Sequence, residues 1–213
     1  MAKIGVLGAL IALAAATAVS AAEAPLTIAS DHRVVGFGTG TGSLTLSGRL
    51  ATGRDGEPIT VEASECGSPG WRLIATDRTA PGGSWHAGAA PTLRTSYRAR
   101  WRDAVTSPVE VLVRPAVRLD QRSRTKFGVL TIASRFFRGA RGRFERFDRA
   151  RGWLLVRRVT LSRGSAPRGA PWAYSGAEFS ARVPARALVR FVLPRDQTGP
   201  CYLAGQSIQF NVR

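Results

Sequence analysis

The 213-residue chain is poor in the side chains that most enzymes and metal proteins use: two histidines, His32 and His86, and two cysteines, Cys66 and Cys201. It has no G-x-S-x-G elbow, so the serine, histidine and acid of a hydrolase have no anchor; Gly83-Ser84-Trp85 reads instead as a strand opening after a Pro-Gly-Gly turn. The glycine-rich run 36–42 lacks the Lys-Ser/Thr ending and the following helix of a phosphate loop. Two cysteines in unrelated turns make a poor zinc set, and Asp55 with Glu57 falls short of the roughly six to eight oxygens that calcium takes. Glu62 and Glu65, at a strand end and its turn, read as solvated surface. These shortages exclude the familiar chemistries: no catalytic residue, no metal site and no cofactor is expected.

Long apolar runs are missing too, with one exception at the start. Lys3 precedes an apolar stretch from Ile4 to Val19, and Ser20, Ala21 and Ala22 follow before Glu23. That order is the pattern of a secretory signal peptide over 1–22, cleaved after Ala22, with Ala21 and Ala24 as alternative positions. An uncleaved membrane anchor is the competing reading, but the run is shorter than the roughly 20 residues a spanning helix needs. The expected location is therefore secreted or in the cell envelope, with no transmembrane segment once the signal is cut.

What is present is period-two alternation, written twice. Segments 27–37, 43–51, 58–64, 71–78, 84–89, 95–103 and 107–114 read as strands, separated by turns such as Gly53-Arg54-Asp55-Gly56 and Pro81-Gly82-Gly83. Short strands at this spacing, with no amphipathic helix between them, indicate an all-β sandwich. Leu44, Leu46, Leu50, Ile59, Val61, Tyr97, Ala99, Trp101, Val109, Val111 and Val113 are expected in its core. From Val117 the order repeats: Val129-Leu130-Thr131-Ile132 answers Ser43-Leu44-Thr45-Leu46, and Gly152-Trp153 answers Gly70-Trp71. Both tryptophans are large enough to dominate a small core and are expected inside. Phe179, Ala181, Val183, Val189, Phe191, Leu193, Ile208, Phe210 and Val212 complete the second core. Two domains follow, 23–113 and 114–213, joined with almost no linker at 113–117.

The S-L-T-L-S-G-R strand, the Gly-Trp step, the Tyr-Arg-Ala-Arg-Trp strand and the Val-Arg-Pro exit resemble the immunoglobulin-like or fibronectin-type-III-like repeats of exported and cell-surface bacterial proteins. The resemblance implies two tandem antiparallel β-sandwiches, with Tyr97 placed like their corner tyrosine. It covers the first repeat well and the second more loosely, and it brings no catalytic residue. In such a stack, the turn holding Cys66 lies at the exit end of the first domain. The connection holding Cys201 lies at the near end of the second. Export favours pairing, so a Cys66–Cys201 disulfide across the junction is expected; free buried thiols and an intermolecular bridge are the alternatives.

Charge separates the repeats. Residues 23–113 carry nine arginines and nine acids, whereas 114–213 carry twenty-one cations against five acids, an excess of sixteen. A GC-rich genome would account for arginine over lysine, but not for this placement. The closely spaced Arg138, Arg141, Arg143, Arg146, Arg149 and Arg151 are expected to loop or bulge outward as a polyanion-binding patch. The favoured reading is a noncatalytic adhesion protein whose partner is an anionic cell-wall polymer or an acidic surface protein. A scaffold that binds another exported protein through its loops is the second reading, and an enzyme of unrecognised type the third. No motif for specific nucleic-acid recognition occurs, and export removes the chain from cytosolic nucleic acid. Nothing specifies an oligomeric state.

Overall fold

The computed structural model describes residues 25–38 and 42–213; the expected signal, 1–22, lies outside them. The described residues are all-β, built of several antiparallel sheets with one turn of helix, and no helix among them is long and apolar enough to cross a membrane.

In the first half the strands are β1 (Ala29–Ser30), β2 (Val34–Gly36), β3 (Leu44–Arg49), β4 (Pro58–Glu65), β5 (Arg72–Arg78), β6 (Ser84–Ala89), β7 (Thr95–Trp101), β8 (Ala104–Val105) and β9 (Val109–Arg114). They form two sheets, β1-β3-β6 and β2-β9-β7-β4-β5, with β8 hairpinned onto β7. The single strand expected over 27–37 is thus two. Its first part pairs with β3 and its second runs parallel to β9, so the chain changes sheets at Asp31–Arg33.

The second half contains β10 (Ala116–Gln121), β11 (Lys126–Ala133), β12 (Arg141–Asp148), β13 (Gly152–Thr160), β14 (Arg163–Ser165), β15 (Ala173–Ser180), β16 (Leu188–Leu193), the helix α1 (Arg195–Thr198), β17 (Gly205–Gln206) and β18 (Phe210–Asn211). Its sheets are β10-β11-β15-β14 and β13-β12-β16, the latter edged by β17 and β18. Here β10 alone does the work of β1 and β2: it pairs with β11 along its length and reaches the other sheet through the parallel bridge Val117–Ser207.

Alternation explains which side chains meet. In β4, Ile59, Val61 and Ala63 are buried, and from β3 come Leu44 and Leu46. In the second half Phe144 of β12 meets Phe127 of β11 and Phe179 of β15, with ring centroids 4.8 and 5.1 Å apart. Each such ring contributes about 2–3 kcal/mol by leaving water. Trp101, Val109, Val183 and Phe210 are half-buried at the rim.

Four expectations about the core are corrected. Trp71 and Trp153 are not core residues; both stand on outward faces under an arginine, and the buried tryptophan is Trp85, at 2% exposure. Trp85 lies flat over Gly48, where a Cβ would come within 2.7 Å of its ring. The inward phase of β11 is one residue off: Phe127, Val129, Thr131 and Ala133 face in, whereas Leu130 and Ile132 do not. Ile208 is 89% exposed, because buried Ser207 takes the sheet position and accepts the Phe191 N–H at 2.9 Å. Finally, 141–148 neither loops nor bulges away; it is the central strand β12. Its inward alternation was hidden by Gly142, whose missing side chain makes room for Phe191, since a Cβ there would sit 2.0 Å from the ring.

The halves meet at a junction one residue long, Pro115 between β9 and β10. Cys66 and Cys201 are disulfide-bonded across it, with Cα atoms 5.5 Å apart. Around the bond, the Arg94 N–H donates to the Cys201 carbonyl at 3.0 Å and the Leu203 N–H to the Val113 carbonyl at 2.9 Å. The Tyr202 hydroxyl donates to the Thr92 carbonyl at 2.8 Å while accepting the Ser134 N–H at 3.0 Å. Burial raises the Tyr202 phenol above its usual value of 10.0, outweighing its hydrogen bonds to Ser134.

A candidate cationic face

On β12 the side chains of Arg141, Arg143, Glu145 and Phe147 point to the outer face of the sheet, because Gly142 and Phe144 point in. Pairing with β13 and β16 sets their neighbours: Arg143 opposite Arg158 and Val192, Glu145 opposite Leu155 and Arg190, Phe147 opposite Trp153. The Glu145 side chain is only 8% exposed. One of its carboxylate oxygens lies 2.9 Å from Arg143 Nε and the other 2.8 Å from Arg190 Nε and Nη2. Burying a carboxylate on a sheet face is tolerable only with such charge-assisted partners. Arg190 in turn lies 4.0 Å over the Trp153 ring, and Phe147 meets that ring edge-on at 5.4 Å. The guanidinium groups of Arg141 and Arg158 make no ion pair or hydrogen bond among the described residues, while the Arg141 backbone N–H donates to Gln197 Oε1 at 2.9 Å.

The six arginines singled out from the sequence do not form one cluster. Arg141 and Arg143 belong to the face just described. Arg146 points the other way and, with Arg151, lies 3.7 Å from Asp148. Burial raises the Asp148 carboxyl, but the N–H groups of Arg151 and Ala150 and the Arg151 charge outweigh it and hold the group below its usual 3.8. Arg138 and Arg149 are exposed in the turns before and after β12, about 25 Å or more apart at the rise of a strand. Two arginines of the face were missed, Arg158 and Arg190. For Arg190 the signal was an arginine directly after the inward residue at the same place in both halves, Tyr97-Arg98 in β7 and Val189-Arg190 in β16.

The first half carries the same scaffold. Glu62 of β4 lies opposite Leu73 and Arg98, as Glu145 lies opposite Leu155 and Arg190. The register slips at the same step in both, between Val61 and Glu62 and between Phe144 and Glu145. Arg98 Nε is 2.6 Å from Glu62, and its guanidinium lies 4.2 Å over Trp71. Trp71 and Trp153 each follow a glycine in the left-handed region, Gly70 at φ 84 and Gly152 at φ 73. The difference is in the flanks. The first half has Thr60 opposite Thr76 where the second has Arg143 opposite Arg158. Pro58 stands where the second half has Arg141.

His86 Nδ1 is 3.9 Å from Asp77, with its side chain 81% exposed, and His32 is exposed. Among the described residues no three histidine, cysteine or acidic side chains group as metal ligands.

No protein family and no curated protein matches the sequence. Among solved structures the chain is similar to a purple acid phosphatase from yellow lupin (Lupinus luteus) seeds, at TM-score 0.37 and 13% identity over 89% of this chain and 41% of that one. It is also similar to red sea bream transglutaminase, at TM-score 0.40 and 13% identity over 90% of this chain and 32% of that one. The chain thus spans less than half of either structure.

Proposed function

We propose that this chain is an exported, noncatalytic binding protein of two tandem immunoglobulin-like domains, 23–113 and 114–213, whose second domain adheres to anionic cell-envelope polymers. The observation that carries the reading is the exchange of Thr60–Thr76 for Arg143–Arg158 on a shared scaffold. Threonine pairs stabilise a sheet, whereas like charges directly opposite destabilise it. Arg143 is engaged by Glu145, as Arg100 is by Glu62 in the first half, but Arg158 opposite it has no ion pair among the described residues, and where the first half works with Thr76 that arginine serves something outside the fold. A flat face with Arg141, Arg143 and Arg158 around one neutralised glutamate suits an extended polymer better than a small molecule, which needs a concave site.

The test is retention on isolated cell wall. The wild-type protein should bind and elute steeply as salt rises from about 0.05 to 0.5 M. Changing Arg141, Arg143 and Arg158 to glutamine should abolish retention in a protein that is still folded at the assay temperature, although loss of the Arg143–Glu145 pair should lower its melting temperature. Salt-independent retention, or retention unchanged in the triple variant, would refute it. The scaffold reading draws its support from Leu73, 61% exposed beside the Arg98–Trp71 pair of the half without net charge. Under it, partner binding would survive the triple variant.

A further inference from the structure

The second half has another outer face, formed by β10, β11, β15 and β14, and there the surface is concave. Arg118, Leu130, Gly176 and Arg163 lie side by side across the four strands, and Asp120, Gly128 and Glu178 form the next row. Where the glycines fall no side chain rises, leaving a groove of about 440 Å³. Gly176 is a required gap, because a Cβ there would stand 2.6 Å from the Val129 carbonyl oxygen. Tyr174 closes one end; its hydroxyl accepts the Trp172 indole N–H at 3.2 Å, and Trp172 is itself 40% exposed.

The charges in the groove are unequally committed. Asp120 is paired with Arg122, and Glu178 lies 3.4 Å from Arg163. The Arg118 guanidinium has no partner among the described residues. With Asp120 and Glu178 each paired, the single free guanidinium of Arg118 and an apolar strip of Leu130 and Tyr174 do not suit a polyphosphate, which brings a charge at every unit. They suit a sugar acid: a pyranose has an apolar face, hydroxyls that donate to carboxylates, and one carboxylate per ring for a guanidinium fork.

We infer that this groove binds a short stretch of acidic polysaccharide of the uronate class, with Arg118 holding a ring carboxylate. The inference deepens the polyanion reading and rests on it for the ligand class, but it places specific recognition on the sheet opposite the one that adheres. Arg118 is exposed and outward, so its replacement leaves the fold intact.

Isothermal titration with a galacturonate trimer tests it at about 0.3 M salt, where nonspecific surface attraction is largely screened. The trimer should bind saturably and maltotriose should not. Arg118→Gln should weaken binding about tenfold or more, and the triple glutamine variant of Arg141, Arg143 and Arg158 should leave it unchanged. Absence of saturable trimer binding would overturn the inference, as would equal binding of tripolyphosphate or an unaltered affinity in Arg118→Gln. If wall retention persists while trimer binding is absent, the groove inference falls alone. If the triple variant loses both, the site is the β13-β12-β16 face and not the groove. Trimer binding without wall retention would support the groove and refute the adhesive face.

Discussion

At the bulge of its larger sheet the first half holds Glu62 between Arg98 and Arg100, with carboxylate distances of 2.6 and 3.5 Å. The second half holds Glu145 between Arg190 and Arg143 at 2.8 and 2.9 Å. The conserved geometry within one chain is the glutamate, the arginine opposite it and the tryptophan beneath that arginine. The second partner differs: it comes from the neighbouring strand in one half and from two residues earlier on the same strand in the other. The scaffold therefore demands a buried acid and one stacked guanidinium, and leaves the flanking positions free. The first half fills them with Pro58 opposite Arg78 and with Thr60 between Thr76 and Arg100, and the second with Arg141 opposite Thr160 and with Arg143 between Arg158 and Val192.

The comparison can be broken by mutation. Glu145→Ala strands Arg190, whose side chain is 18% exposed, and should cost about 3–4 kcal/mol. Glu62→Ala leaves a somewhat more open site, 19% and 23% exposed, and should cost about half as much after allowance for solvent screening. Urea unfolding of both variants reads the difference. Equal costs would mean that the second clamp is no tighter than the first.

A difference in buried aromatics gives the next effect. Tyr97 has no counterpart in the second half, where Val189 takes its place. Burial, only partly opposed by its hydrogen bond with Thr95, pushes its phenol up to about 12. A raised value favours the neutral form in the fold. The stabilisation is complete below the usual 10.0 and is lost as pH rises through about 12. Roughly 2–3 kcal/mol should disappear over that window. Tyr97→Phe should remove most of this alkaline loss in unfolding measurements, leaving the share that belongs to Tyr202.

The smallest effect sharpens the comparison in the other direction. Thr60→Arg with Thr76→Arg would write the second half's charge onto the first half's scaffold. The expected stability cost is below about 1 kcal/mol, with wall retention extending to higher salt. No gain in retention would show that position on the chain matters beyond the presence of the charges.

Much of the architecture was legible because alternation is a direct imprint of burial: Ile59, Val61, Tyr97, Ala99, Phe191 and Leu193 were placed in the core by period alone and are buried. Alternation fails where an inward position carries no apolar side chain. Gly142 cedes its space to Phe191, so 141–148 looked irregular, and Ser207 replaces Ile208 by accepting a backbone N–H, so a regular alternation there pointed to the wrong first residue. The tryptophans were misplaced because size was taken as a sign of burial, whereas an indole under an arginine is satisfied on a wet face. Which arginines share a face was not legible, since that depends on cross-strand register, and a bulge resets register without leaving a clear trace in composition.

The Cys66–Cys201 bond has a consequence outside the fold itself. Residues 162–169 are all exposed, and Arg168 among them offers a cleavage point to any trypsin-like protease. A nick there would divide the chain, yet sulfur would still hold the two fragments together. The clipped molecule would run as a single species on a gel until a reductant is added, and a protease could cut this protein without shedding residues 169–213.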